Sequence, residues 1–196
     1  MTRPTPLWRH VANGAGLVVI LVLAGVVAHT TPNDEQQQAP IPVRGQLGET
    51  LSGRNIVATV DEVRVAKTVE AGNGWAGPTT GVWVVVDASV ESRISGGTTF
   101  GYARFTVGDV SYSASTRPDT ATIAAIRLSA GIPWTGPLMF ELPAALLSSD
   151  AARHAELQLA VSSDPRADSM IVIPVDLHAI EVASVIETDL PVWGAR

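Results

Sequence analysis

Catalysis needs polar side chains gathered at short range, and this chain offers few to gather. His154, Glu156, Asp176, His178 and Glu181 form the one cluster whose types suit metal binding or proton transfer. Asp176 and His178 stand two apart, so on a strand they share a face and present two ligands suited to zinc or calcium. Two ligands do not make a site, and neither an H-E-x-x-H run nor a third histidine nearby completes one. Solvated surface residues are the expected reading of this cluster. A serine triad would draw on His10, His29, His154 or His178, of which the first two lie in or beside an apolar N-terminal stretch. No G-x-S-x-G elbow, S-x-x-K, phosphate-cradling G-K-[ST] or calcium loop marks a nucleophile or an ion site. The chain has no cysteine. That excludes disulfides, cysteine-ligated zinc, iron–sulfur clusters, a thiol nucleophile and the lipidated cysteine of a bacterial lipoprotein. No catalytic, metal or cofactor-binding residue is assigned, and the chain reads as non-enzymatic.

Two further motifs were weighed. Gly72-Asn73-Gly74-Trp75-Ala76-Gly77 spells G-x-G-x-x-G, but Pro78, two threonines and a strand follow it. A dinucleotide site needs a helix N-terminus there to hold the pyrophosphate, so the segment is expected to be a loop. Trp75 on that loop and Trp134 on a later turn-rich link are the candidate contact residues, since exposed tryptophans favour binding surfaces. The competing reading folds both back over the end of a sheet, and it is the favoured one.

The elements that must position these residues are strands. In Gly81 to Glu91, Val82, Val84, Val86, Ala88 and Val90 fall on one face, with Trp83, Val85, Asp87, Ser89 and Glu91 on the other. The first face is wholly apolar and belongs in a core, whereas the second turns polar along its length and leaves cover partway. Strand signals also occur at 56–60 and 63–66, joined by a bulge or a break at Asp61-Glu62, and at 100–107, 110–113, 122–129, 138–142, 156–161 and 170–177. Gly108-Asp109 between two of them predicts a tight hairpin. Ala144 to Leu147 reads as one helical turn, 180–186 is open between strand and helix, and the tail from Asp189 is expected to fray. Seven to nine short strands with regular turns and no helical crossovers predict an all-β, antiparallel two-sheet sandwich.

Before the strands lies Val11 to Ala28, free of charge. Its 18 residues reach about 27 Å as a helix, enough for the hydrocarbon layer. Arg3 and Arg9 precede it, while Asp34 and Glu35 follow, which places residues 1–10 in the cytoplasm and the body outside. A transmembrane signal-anchor over 11–28 is therefore expected. The alternative is secretion after cleavage between Ala28 and His29, because Val26 and Ala28 are suitable small residues for a peptidase. Ala12 and Gly16 form a small-x-x-x-small pair that could seat a partner helix. Residues 29–44, with three prolines and a glutamine run, read as an extended linker of up to about 50 Å.

Net charge is −6, and without Arg3 and Arg9 the remainder holds 11 basic and 19 acidic residues. Lys67 is the only lysine. Such a body suits neither nucleic acid nor anionic lipid; it would accept a basic partner, although an acidic surface that keeps the domain soluble is the simpler reading. The arginine bias suggests a GC-rich coding sequence.

The strand Gly81 to Glu91, the hairpin Val107-Gly108-Asp109-Val110-Ser111-Tyr112 and the segment Gly136-Pro137-Leu138-Met139-Phe140-Glu141-Leu142-Pro143 together resemble a known family. It comprises immunoglobulin-like extracellular domains of unknown function in secreted and membrane-anchored proteins of actinobacteria and other Gram-positive bacteria; a mycobacterial immunoprotective antigen is a structural relative. The resemblance implies an immunoglobulin-like β-sandwich over 45–178, on an extracytoplasmic anchor, with a C-terminal extension over 179–196. It brings no catalytic residues. The expected function is a membrane-tethered binding module for an unidentified protein or envelope component. An accessory subunit docking through its anchor helix is the alternative, and an envelope hydrolase or metal-dependent enzyme the remote one.

Overall fold

A computed structural model describes residues 7–30, 38–94 and 97–194. Two compact units are present, 1–38 and 39–196. The first contains one helix, α1 (Leu7–Thr30). Its stretch Val11–Thr30 is long and apolar enough to cross a membrane, and none of it is buried. A run of leucine, valine and alanine with no polar face has nothing to gain from one-sided packing. The linker residues 31–37 lie outside the described residues.

The second unit is a β-sandwich. Its strands are β1 (Ile41–Arg44), β2 (Thr50–Ser52), β3 (Ile56–Ala71), β4 (Ala76–Ser92), β5 (Thr98–Thr99), β6 (Tyr102–Val107), β7 (Val110–Ser113), β8 (Arg127–Leu128), β9 (Trp134–Leu142), β10 (Ala155–Ala160), β11 (Ser169–Val175), β12 (Val182–Thr188) and β13 (Val192–Trp193). One sheet runs β1-β11-β10-β6-β7 and the other β12-β3-β4-β9-β13, with β2 also on β3; β5 and β8 form a separate ribbon. Nine strands among the described residues have four residues or more, and the four shorter ones are additions to the seven to nine expected.

Alternation sets the core. Val82, Val84, Val86, Ala88 and Val90 of β4 meet Phe105, Leu157, Leu159, Ile171 and Ile173 of the opposing sheet, all buried. Phe105 and Phe140 touch edge to face across the two layers, with ring centroids 5.5 Å apart. The hairpin at Gly108-Asp109 forms as expected: Val107 pairs with Val110, and Gly108 takes the positive φ of 58° that the first central position of a type II′ turn requires.

The structure departs from the sequence reading in five places. One edge pair of each sheet, β1 with β11 and β12 with β3, is parallel, so the sandwich is mixed rather than wholly antiparallel. Parallel neighbours need long connections, and these partners are far apart along the chain. The segment 71–81 is mostly strand: β3 runs to Ala71 and β4 starts at Ala76. Trp134 to Pro137 belongs to β9, paired with Val90 to Asp87, although its proline and glycine read as a link. The strand expected at 122–129 shrinks to Arg127–Leu128. Finally, the sheets reach past both expected boundaries, because Ile41–Arg44 is an edge strand and β12 and β13 complete the second sheet.

Replacing Phe140 with alanine opens a cavity at the contact between the layers. The expected loss is about 3–5 kcal/mol, read by chemical unfolding of the full chain in detergent. Replacing exposed Val185 with serine should change stability by no more than about 0.5 kcal/mol.

Candidate binding cleft

The residues suited to acid–base or metal chemistry are dispersed, and Glu156 and Asp176 are held in structural bonds. His154 ends a short 3-10 turn and is exposed. Glu156 pairs with Arg44 across the sheet at 2.7 Å. Asp176 is not on a strand with His178: its carboxylate accepts the backbone N–H groups of His178 and Ala179 at 3.0 and 3.3 Å, capping the turn Leu177–Ala179. His178 lies 3.2 Å, through Nδ1, from the carbonyl of Leu147, and Glu181 is exposed just before β12. No group of three or more His, Asp or Glu among the described residues is placed to hold a metal. Gly72 to Gly77 turns from β3 into β4, so a strand follows where a nucleotide site would need a helix. Ala12 and Gly16 are exposed on α1.

Trp75 folds back on the sheet. Four residues of β4, Thr79 to Val82, have only Lys67 opposite them, so the hairpin tip is displaced along the strand. That displacement lays Trp75 against Trp83, centroids 5.6 Å apart and planes at 82°. Trp83 donates its indole N–H to the Gly77 carbonyl at 2.6 Å. Gly77 must lack a side chain, because a Cβ there would sit 2.0 Å from the Trp75 ring. Arg117 spans both rings, 5.9 Å from the centroid of Trp75 and 5.5 Å from that of Trp83, and pairs with Glu141 at 3.0 Å. These groups cover a second, smaller apolar cluster of Trp83, Val85, Met139, Ala66, Val69 and Ile186 on the reverse of the sheet.

Trp134 has different surroundings. It is half-buried at the start of β9, packed on the main core, and it lines an open cleft of about 590 Å³. One wall is the loop of residues 116–126 and the other is Leu190 and Pro191. The loop is anchored from below: Thr122 Oγ1 and the Ile123 N–H both donate to the Pro137 carbonyl, at 2.9 and 3.0 Å. At its ends the Phe100 N–H donates to the Ile126 carbonyl at 2.8 Å, and the Asn73 amide donates to the Pro118 carbonyl at 2.9 Å. The second wall is fixed where β13 pairs with Trp134 and Thr135 and the Gly194 N–H reaches the Pro133 carbonyl at 2.8 Å.

Two wall residues carry backbone strain. Asp119 and Ala125 have φ of 53° and 60°, in the left-handed region that disfavours L side chains. Among the described residues only Ala167 shares this state without being glycine. Asp119, Thr116 and Trp134 line the cleft, while no lysine or arginine is among its lining residues. The sequence reading picked out Trp134 but not Asp119 or Thr116. The signal available was the polar run Thr116-Arg117-Pro118-Asp119-Thr120 between strands, which reads as an ordinary turn.

A second cleft has an acidic rim. Glu70 and Glu187 are directly opposite each other on β3 and β12, beside Asp189. At the β10–β11 turn Asp164 is held below the ordinary carboxylate range by hydrogen bonds from the Arg166 side chain; both groups are fully exposed, so the pair shapes the turn and adds little stability. Replacing Ala125 with glycine should remove the left-handed strain and raise stability by about 1 kcal/mol, measured as a higher unfolding midpoint. An unchanged or lower midpoint would mean that the loop stores no strain there.

No family model matches the chain, and no curated protein matches it. Several solved structures are similar, among them three from Gram-positive bacteria. An uncharacterised β-sandwich protein from Clostridium difficile 630 is 12% identical, with 74% of this chain and 99% of that one covered and a TM-score of 0.48. The yjhA protein from Bacillus subtilis is 15% identical over 65% of this chain and 98% of that one, with a TM-score of 0.45. A functionally unknown protein from Listeria monocytogenes EGD-e is 14% identical over 69% and 84%, with a TM-score of 0.48.

Proposed function

We propose that this protein is a non-enzymatic binding module of the cell envelope: an immunoglobulin-like β-sandwich displayed outside the membrane on α1. The observation that carries the reading is the Trp134 cleft, where threonines and Asp119 lie beside an aromatic side chain. By contrast, Glu156 and Asp176 of the acid–base cluster are committed to structural bonds. The immunoglobulin-like assignment rests on the two facing sheets with antiparallel centres and on the β6–β7 hairpin. Membrane display is supported by the apolar length of Val11–Thr30 and by arginines before it and acids after it.

The same helix supports a second reading, an accessory subunit held to a membrane partner through α1, because none of its apolar surface is used within the chain. Exchanging 11–28 for an unrelated apolar helix separates the two: retained binding to envelope material favours the sandwich as the binding part, while loss of a co-purifying membrane protein favours the helix.

Protease added to intact cells should remove the sandwich and leave a short membrane-bound fragment. Protection of the sandwich in intact cells overturns the topology. Intact-mass measurement of the native protein should give a chain beginning near Met1 for an anchored form, and one beginning at His29 for a secreted form.

A further inference from the structure

We propose that the Trp134 cleft binds an uncharged saccharide, an inference that rests on the binding-module reading and names its ligand class. Three features select that chemistry. Trp134 gives the cleft an aromatic side chain with an indole N–H donor, the combination that receives the C–H face of a pyranose ring while donating to one of its oxygens. Asp119 supplies a carboxylate that accepts from sugar hydroxyls, and Thr116 a hydroxyl that both donates and accepts. Both residues are exposed, so their polar groups are open to a ligand.

Other ligand classes fit less well. An anionic glycan or phosphate would meet the Asp119 carboxylate with no cationic side chain in the lining to offset it. Arg117, the nearest arginine in sequence, is engaged by Glu141 and the Trp75 and Trp83 rings. An extended peptide is usually captured by main-chain hydrogen bonds to an open strand edge. Here the edge of β9 beside the cleft is already occupied: the Pro137 carbonyl accepts from Ile123 and Thr122, and the Met139 carbonyl accepts from Ser115 at 2.7 Å. Recognition in the cleft therefore falls to side chains: an indole, hydroxyls and one carboxylate supply the polar groups, and Ile126, Leu190 and Pro191 add apolar surface. The walls are built before a ligand arrives, since one is hydrogen-bonded to β9 and the other is paired with it.

The test uses the full chain, labelled with nitrogen-15 at its five tryptophans, in a detergent without a sugar headgroup. N-acetylchitotriose and cellotriose serve as uncharged probes, with a hexa-arginine peptide as the cationic comparison. At least one saccharide should shift the Trp134 indole resonance saturably at millimolar concentration. Trp83, whose indole N–H is buried and bonded to Gly77, should stay still. Asp119→Asn tolerates the left-handed backbone and should weaken binding about fivefold; Thr116→Val should weaken it by a similar factor. Both positions are exposed, so these variants keep the test open if Trp134→Ala fails to fold. No shift with either saccharide overturns the proposal, as does saccharide binding indifferent to both variants or reported only by another tryptophan. A Trp134 shift with hexa-arginine alone overturns the saccharide class and leaves the binding module standing. Silence from all three probes, with no retention of the protein on isolated cell envelope, removes both.

Discussion

A strand of 17 residues in the middle of a sheet can hide one face against an opposing sheet, but its other face must find separate cover. That constraint on β4 shapes the rest of this protein. Its inner valines are covered by β6, β10 and β11 in the ordinary way of a sandwich. Its outer face carries Trp83 and Val85, which no second sheet covers, and the hairpin tip curls over to bury them under Trp75. Where this cover ends, the face becomes polar: Asp87 pairs with Arg64 at 2.5 Å and Ser89 accepts from Thr135 at 3.1 Å. Two tryptophans of similar prospects in the sequence thus take different parts. Trp75 is spent on covering the sheet, and Trp134, at the far end of the β4–β9 pairing, remains on a cleft.

The fold was legible where a rule of short range decided it. Alternation from Val82 to Val90 marked a buried face, and Gly108-Asp109 marked a turn, because both depend on neighbouring residues alone. It was not legible where a distant partner overruled local chemistry. Pro137 reads as a strand breaker, yet it sits inside β9, where β13 no longer pairs and a loop donates to its carbonyl instead. Ile180 to Ile186 satisfied strand and helix patterns alike, and a parallel partner more than a hundred residues earlier makes Val182–Thr188 a strand. The cleft was half visible for the same reason. A tryptophan in a turn-rich link drew notice by itself, whereas Asp119 and Thr116 become relevant only when 116–126 is bonded across the edge of β9.

The cluster of His154, Glu156, Asp176 and His178 shows the converse. Residue types that suit catalysis were near one another in sequence, but spacing of two has meaning only on a strand. Asp176 instead leaves β11 and caps a turn, so the two side chains do not project side by side from one sheet face.

The parallel pairing at one margin of each sheet has a consequence for biosynthesis. β1, the first strand, waits for β11, and β3 keeps half of one margin bare until β12 arrives. Each of these margins can close only after the later strand has been delivered, from a ribosome or from any conduit that feeds the chain end first. Contacts between such remote segments also form slowly, since a long loop must be ordered before they stabilise anything.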